Sequence, residues 1–76
     1  MAEIILPALG EGVVKATLAC WHVKIGDKVT TGQEVCEVVT DKATFNIESP
    51  CDGVIKSIQV IEGGDAVIGS VLGIID

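Results

Sequence analysis

The feature that most constrains the fold of this chain is the alternation of apolar and polar residues on either side of Asp41 and Lys42. If these two residues form the loop of a hairpin, Val38 faces Phe45 and Cys36 faces Ile47. These two apolar pairs then lie on the same face of the hairpin. A three-residue loop would pair apolar with polar side chains, which is costly wherever one face is buried. The pattern therefore predicts a two-residue loop that carries Lys42 at an exposed tip.

The residues of this loop are unusual for a hairpin. Two-residue loops prefer Asn-Gly, Asp-Gly or Gly-X because those residues accept a positive φ, and Asp41-Lys42 contains no glycine. Two interpretations follow from the hairpin alone: either both residues are ordinary solvated turn residues, or the amine of Lys42 is used. An exposed tip on a rigid ladder suits both interpretations.

The length of 76 residues allows one domain, which we place at residues 1–76. A domain of this size buries roughly 60% of its unfolded surface, and most catalytic clefts need a larger scaffold. Hydrophobic residues make up 49% of the chain and charged residues 21%, a globular composition. With one Trp, one Phe and no Tyr, the core must consist mainly of Val, Ile, Leu and Ala.

The chain is acidic, with a net charge of −6 from eleven acidic residues against five lysines and no arginine. Nucleic-acid binding is disfavoured, because neutralising phosphates requires a basic face. An acidic surface suits docking onto a basic protein partner, where the charge mainly raises the rate of encounter.

The three cysteines, Cys20, Cys36 and Cys51, are odd in number and have no Cys-x-x-Cys spacing. We therefore expect no disulfide framework, no metal site and no redox dithiol, but small buried side chains in a reducing compartment. His22 has no evident carboxylate or serine partner and is predicted to lie on a strand surface. No apolar run approaches the roughly 20 residues of a membrane span, so we expect a soluble chain.

The chain shows strand signals and no helical periodicity with caps. Residues rich in β-branched side chains are separated by glycine-containing turns, and the expected fold class is all-β. We expect a bulge in the strand 16–23, because alternation is imperfect there. Trp21, which this strand carries, is assigned to the core. The predicted strands are residues 3–6, 16–23, 34–40, 44–49, 54–60 and 70–75.

Three short glycine-led segments occur twice in the chain. Two copies of one motif predict two short antiparallel sheets packed as a sandwich or flattened barrel, related by an internal quasi-twofold axis. Lys42 would then lie between the halves, and the two chain ends would meet at the far side. The predicted pairs of segments are 12–15 with 53–56, 26–29 with 64–67, and 32–35 with 69–72.

With these motifs, the sequence resembles the lipoyl domains of 2-oxo acid dehydrogenase complexes, carried by the dihydrolipoamide acyltransferase component, over essentially all of residues 1–76. The most specific match is Thr-Asp-Lys-Ala-Thr at 40–44. The fold implied is the barrel-sandwich hybrid. Val39 departs from the family pattern, which often has an acidic residue there. The other matching segments are Pro-Ala-Leu-Gly-Glu-Gly at 7–12, Trp21 to Val29, Gly32, Ser49-Pro50, residues 53–55 and 62–65.

The resemblance implies that Lys42 carries lipoic acid through an amide bond, and that the flanking Asp41 and Ala43 help a lipoylating enzyme recognise the turn. It also implies that loop 8–15 lies beside the modified tip. Residues of this loop would contribute to recognition by the decarboxylase component. They are Gly10, Glu11 and Gly12.

The resemblance further implies a carrier without catalytic residues of its own. Its partners would be a thiamine-diphosphate decarboxylase, the acyltransferase core and dihydrolipoyl dehydrogenase, between which it would carry acyl groups and reducing equivalents. The isolated domain is expected to be monomeric, in the bacterial cytoplasm or the mitochondrial matrix. Two alternatives remain: a biotin carrier, whose lysine usually lies between methionines, and an unmodified barrel-sandwich module that acts only in assembly.

Overall fold

The computed structural model describes residues 1–76 as eight β-strands without a helix, which confirms the all-β prediction. No helix is therefore present that is long and apolar enough to cross a membrane. The strands form two antiparallel four-stranded sheets. In chain order they are β1 (Ala2–Ile5), β2 (Lys15–Trp21), β3 (Lys28–Val29), β4 (Glu34–Val39), β5 (Thr44–Glu48), β6 (Gly53–Ile58), β7 (Asp65–Val67) and β8 (Val71–Ile75).

The order of strands shows the internal symmetry directly. One sheet has the order β1-β8-β6-β3 and the other β5-β4-β2-β7, so each strand of the first half occupies the place of the strand four positions away in the second half. The predicted quasi-twofold arrangement is confirmed. Ala2 pairs with Ile75, so the two chain ends meet. This pair is the symmetry counterpart of the pair Phe45 and Val38 in the β4–β5 hairpin of the other sheet.

Two hydrogen bonds at equivalent places, one in each sheet, fix which residues are counterparts. The Gly26 N–H donates to the Ile55 carbonyl at 2.8 Å, and the Gly63 N–H donates to the Leu18 carbonyl at the same distance. Counterparts in this part of the chain are thus 37 residues apart. The predicted match of 32–35 with 69–72 has this spacing.

The other two predicted matches are wrong in register. Residues 26–29 correspond to 63–66 rather than 64–67, because Gly63 and not Gly64 has the positive φ of 87° that Gly26 shows at 96°. The Gly-Asp dipeptides resemble each other in sequence but do not occupy equivalent turns. The match of residues 12–15 with 53–56 has a spacing of 41 residues, whereas the hydrogen bonds give a spacing of 37 for the start of β6.

The two halves differ most in the loop that follows β1. Leu6 and Ser49 make equivalent hydrogen bonds, to Ser70 and Gln33 respectively, and these counterparts are 43 residues apart. Since the spacing falls to 37 by Leu18, the segment from Leu6 to Leu18 in the first half is six residues longer than its counterpart from Ser49 to Ile55 in the second half. This longer loop is the main break in the symmetry.

The β4–β5 hairpin has the predicted register. Val38 pairs with Phe45 and Cys36 with Ile47, and the Thr40 N–H donates to the Ala43 carbonyl at 2.8 Å across the two-residue loop. β2 has the expected bulge, between Leu18 and Cys20. A second bulge between Glu34 and Cys36 lets the consecutive residues Val35 and Cys36 both be buried.

The core lies between the sheets and contains 14 buried apolar residues. Trp21 packs against it while its Nε1–H donates to the Val60 carbonyl at 2.8 Å, so the core assignment is confirmed. All three cysteines are free, but only Cys36 is fully buried. Burial, with a smaller contribution from the neighbouring Cys20, raises the pKa of the Cys36 thiol to about 12.

The two shortest strands, β3 and β7, were not predicted, because two or three residues are too few to show alternation.

The Leu18 side chain is fully buried in this core, and we expect Leu18→Ala to lower the free energy of unfolding by about 2–5 kcal/mol through lost burial and an unfilled cavity. Urea unfolding followed by circular dichroism measures this change. Ile61→Ala is the matched control because Ile61 is 74% exposed, and it should change stability by less than about 0.5 kcal/mol. Equal losses for the two variants would contradict the assigned core.

Candidate functional site

Lys42 lies at the tip of the β4–β5 hairpin, as predicted, with an exposed side chain. Its neighbours Asp41 and Ala43 are exposed as well. The only lysine ammonium that donates a hydrogen bond in the structure is that of Lys56, so the Lys42 Nζ is available to a partner. The hairpin therefore presents one unpaired primary amine on a rigid two-stranded support.

Thr40 makes this glycine-free turn possible. No residue other than glycine has a positive φ, so the turn is not of the type that two-residue hairpin loops usually adopt. Instead, Thr40 Oγ1 accepts hydrogen bonds from the N–H groups of Lys42 at 3.2 Å and Ala43 at 3.1 Å. The local signal for this role is a threonine directly before a two-residue turn, where its hydroxyl can satisfy the turn amides.

A groove of about 720 Å³ lies between this tip and the longer loop that breaks the symmetry. Residues of the loop, of the start of β2, of the tip and of β7 line it. Gly12 is one of them, whereas Gly10 and Glu11 are not. The lining residues are Gly12, Val13, Val14, Lys15, Ala16, Thr17, Val39, Thr40, Asp41, Lys42 and Asp65.

The loop has a defined conformation beside the groove. The Val13 N–H donates to the Gly10 carbonyl at 3.2 Å, and Gly10 and Gly12 adopt φ values of 137° and 82° that favour glycine. Glu11 is exposed between them. The expected position of the loop beside the tip is confirmed, while the recognition roles of its residues stay predictions.

The groove contains groups that bind and orient rather than a nucleophile paired with a base. Thr17 Oγ1 donates to Asp65 Oδ1 at 2.8 Å and joins β2 to β7 at its floor. Lys15 is a second lysine that lines the groove. This arrangement suits a covalently held group or a docked segment lying along the hairpin.

Comparison with known proteins agrees with this geometry. The family model described as "Biotin-requiring enzyme", for the biotin and lipoyl attachment domains, matches residues 2–75. The chain belongs to this family. The solved structure of the lipoyl domain of the 2-oxoglutarate dehydrogenase complex from Azotobacter vinelandii superimposes with a TM-score of 0.79 at 30% identity, covering 100% of this chain and 96% of that one. The fold is thus that of a lipoyl domain, a carrier rather than a catalyst.

Curated relatives of this lipoyl-type domain are acyltransferase components. The chain is 41% identical over 71 residues to the dihydrolipoyllysine-residue succinyltransferase component of the 2-oxoglutarate dehydrogenase complex of Rickettsia typhi. It is 38% identical over 74 residues to the acetyltransferase component of the pyruvate dehydrogenase complex of Staphylococcus aureus. The matches cover 93% and 97% of this chain but only 18% and 17% of the relatives.

His22 lies outside the groove, on the surface of the same sheet. It is exposed, as predicted, but lies directly after β2 rather than on the strand. The prediction that it lacks a carboxylate neighbour is wrong, because ligand atoms of His22, Glu37 and Cys20 lie within 4.8 Å of one another. The sequence order conceals this cluster, since strand pairing alone brings Glu37 to the other two residues.

The role of Thr40 at the tip can be tested with Thr40→Val, which keeps the shape of the side chain and removes its oxygen. We expect a loss of about 1 kcal/mol in the free energy of unfolding, and faster hydrogen exchange at the amides of Lys42 and Ala43. Thr44→Val is the control, since the exposed Thr44 hydroxyl makes no hydrogen bond of this kind. Unchanged exchange at both amides in Thr40→Val would show that the hydroxyl does not hold the turn.

Proposed function

We propose that residues 1–76 form a lipoyl carrier domain of the acyltransferase component of a 2-oxo acid dehydrogenase complex, modified on Lys42. The observation that carries this proposal is the unpaired Lys42 amine at the tip of a hairpin of defined register, beside an open groove. The acyltransferase names of the relatives support the assignment to that component. Because those names cover both 2-oxoglutarate and pyruvate complexes, the proposal specifies the class of substrate.

The residues at the tip fit a lipoyl group. An exposed lysine without an ion-pair partner can enter the active site of a modifying enzyme without first breaking a contact. ATP would activate the lipoate carboxyl group as an adenylate with release of pyrophosphate; the Lys42 amine would then attack the carbonyl, lose a proton and displace AMP. The product is an amide, so the positive charge of the lysine is removed.

Carriage requires little of the protein beyond position. The bound group would supply a disulfide that accepts an acyl group together with two electrons. The acyl group would then pass to coenzyme A, and the two electrons would pass to the flavoprotein dehydrogenase. The chain holds the attachment point on a rigid hairpin, which raises the local concentration of the carried group at successive active sites. These sites would be those of a thiamine-diphosphate decarboxylase, the acyltransferase core and dihydrolipoyl dehydrogenase, in the bacterial cytoplasm or the mitochondrial matrix.

Recognition would depend on the surroundings of the lysine. Asp41 and Ala43 flank it on the exposed turn and would be read by the lipoylating enzyme as part of the shape of the hairpin. Across the groove, the loop after β1 would contact the decarboxylase through Gly10, Glu11 and Gly12. The loop has no counterpart of equal length at the other end of the molecule, so it distinguishes the lysine end for a partner.

Biotin attachment is a second candidate, because the matching family includes biotin carriers. The flanks of Lys42 favour lipoate, since biotin carriers of this family usually place their lysine between methionines. The unmodified assembly module is the third interpretation, and it predicts that Lys42 remains an amine.

The decisive experiment is intact mass spectrometry after incubation of the chain with a lipoylating enzyme, ATP and lipoate. We expect one lipoyl increment on the parent and none on Lys42→Gln. Lys15→Gln is the matched control, because Lys15 lines the same groove and should leave modification unchanged. A parallel incubation with a biotin ligase and biotin should give no increment.

A second variant tests whether the register of the hairpin matters. Exchanging the loop residues, as Asp41→Lys with Lys42→Asp, keeps the composition and moves the amine by one position. We expect modification to be lost, because adjacent positions on a hairpin point in different directions.

A parent chain that takes no lipoate would favour the assembly module, whereas biotin incorporation would favour the biotin carrier.

A further inference from the structure

A second group of chemically active side chains lies on the outer face of the sheet that carries the lysine hairpin. It contains a thiol, an imidazole and a carboxylate from Cys20, His22 and Glu37, whose ligand atoms all lie within 4.8 Å of one another. The carrier function uses none of the three. Cys20 and Glu37 are half-buried and His22 is exposed, so an ion can reach the cluster from solvent.

The bulge in β2 creates this cluster. In a regular strand, Leu18 and Cys20 would point to the same face, and Leu18 is buried in the core. The register shift between them places Cys20 opposite Glu37 instead and turns the thiol toward the outer face. Bulges commonly redirect a side chain in this way. His22, two residues farther along, returns to the same face, and its N–H continues the ladder by donating to the Val35 carbonyl at 2.9 Å.

The pairing of three strands holds the cluster in place. Cys20 on β2 lies opposite Glu37 on β4, and Glu37 lies opposite Asn46 on β5. Directly opposed residues in antiparallel strands have Cβ atoms roughly 4.5–5.5 Å apart. Asn46 Oδ1 lies 3.5 Å from His22 Nε2, which gives the imidazole a polar neighbour at the edge of the cluster. Small rotamer changes are enough to bring the three ligand atoms around one ion.

The charges around the thiol favour a cation. The carboxylates of Glu37 and Glu62 both act electrostatically on Cys20, so the surroundings of the thiol are negative. Glu62 is held near by the Trp21 N–H, which donates to its Oε2 at 3.2 Å. A divalent ion would reverse the repulsion between these groups, because one thiolate and one carboxylate together neutralise its charge.

We propose that Cys20, His22 and Glu37 form a binding site for a divalent transition-metal ion of the zinc type. A thiolate, an imidazole and a carboxylate are all established Zn²⁺ ligands, and a set that contains thiolate and imidazole favours Zn²⁺ over Mg²⁺ and Ca²⁺. Three protein ligands leave the fourth tetrahedral position to water, as in exchangeable sites rather than closed structural ones. The bound ion would link β2 to β4 at the Glu37–Asn46 pair, which two further pairs of the ladder separate from the lysine tip.

The test uses Co²⁺ as a spectroscopic probe on the reduced chain with Lys42 unmodified, because the thiols of a lipoyl group would themselves bind the metal. We expect one equivalent of Co²⁺ to give sulfur-to-cobalt charge-transfer absorption together with the visible bands of a tetrahedral site, and Zn²⁺ to displace it. Because the ion binds the folded state, Zn²⁺ at a hundredfold excess over its Kd should raise the thermal midpoint by about 10–20 °C.

Ligand variants identify the site. Cys20→Ser should abolish the charge-transfer absorption, and His22→Gln and Glu37→Gln should each weaken binding at least about tenfold. Cys51→Ser is the matched control, since Cys51 is another half-buried free thiol and should bind Co²⁺ as the parent does. Circular dichroism and unfolding without metal show that each variant is folded.

Three results would overturn the proposal. The first is the absence of charge-transfer absorption at excess Co²⁺. The second is absorption that persists in Cys20→Ser or disappears in Cys51→Ser. The third is a stoichiometry of one ion per two chains with dimers in sedimentation, which would mean that the metal bridges thiols of separate molecules.

Discussion

The register of the β4–β5 hairpin is the constraint on which the rest of the structure depends. Pairing Val38 with Phe45 and Cys36 with Ile47 directs the apolar face inward, so the hydrophobic effect opposes any slip by one residue. The same pairing leaves Lys42 at the tip and sends Glu37 to the outer face. One packing requirement thus determines both where the amine is presented and which polar groups surround Cys20.

Symmetry explains the architecture, and its single large exception lies at the end of the molecule that carries Lys42. A small domain gains by using one motif twice, because each half covers the apolar face of the other. Equivalent hydrogen bonds from Gly26 and Gly63 show how closely the halves correspond. The six additional residues after β1 are not needed for this packing. They form one wall of the groove beside Lys42, so the two ends of a nearly symmetric molecule become distinguishable to a partner.

Backbone irregularities have a similar part at a finer scale. The tip turn lacks glycine, and the hydroxyl oxygen of Thr40 accepts hydrogen bonds from the backbone amides of Lys42 and Ala43. The bulge before Cys20 turns a thiol from the core toward the solvent-facing side of the sheet. In both places a small departure from regular strand geometry positions a reactive side chain while the core stays closed.

The sequence by itself determined the fold class, the hairpin register, the exposed position of Lys42 and the presence of two halves, because these follow from alternation and turn residues within short stretches of chain. It misplaced two of the three repeat alignments. In one of them, Gly63 rather than Gly64 takes the positive φ, and this glycine pair is hydrogen-bonded to Leu18, which is far away in the sequence. Only the tertiary structure decided the groove beside Lys42 and the meeting of Cys20, His22 and Glu37. Both depend on pairing between distant segments, which local patterns do not encode.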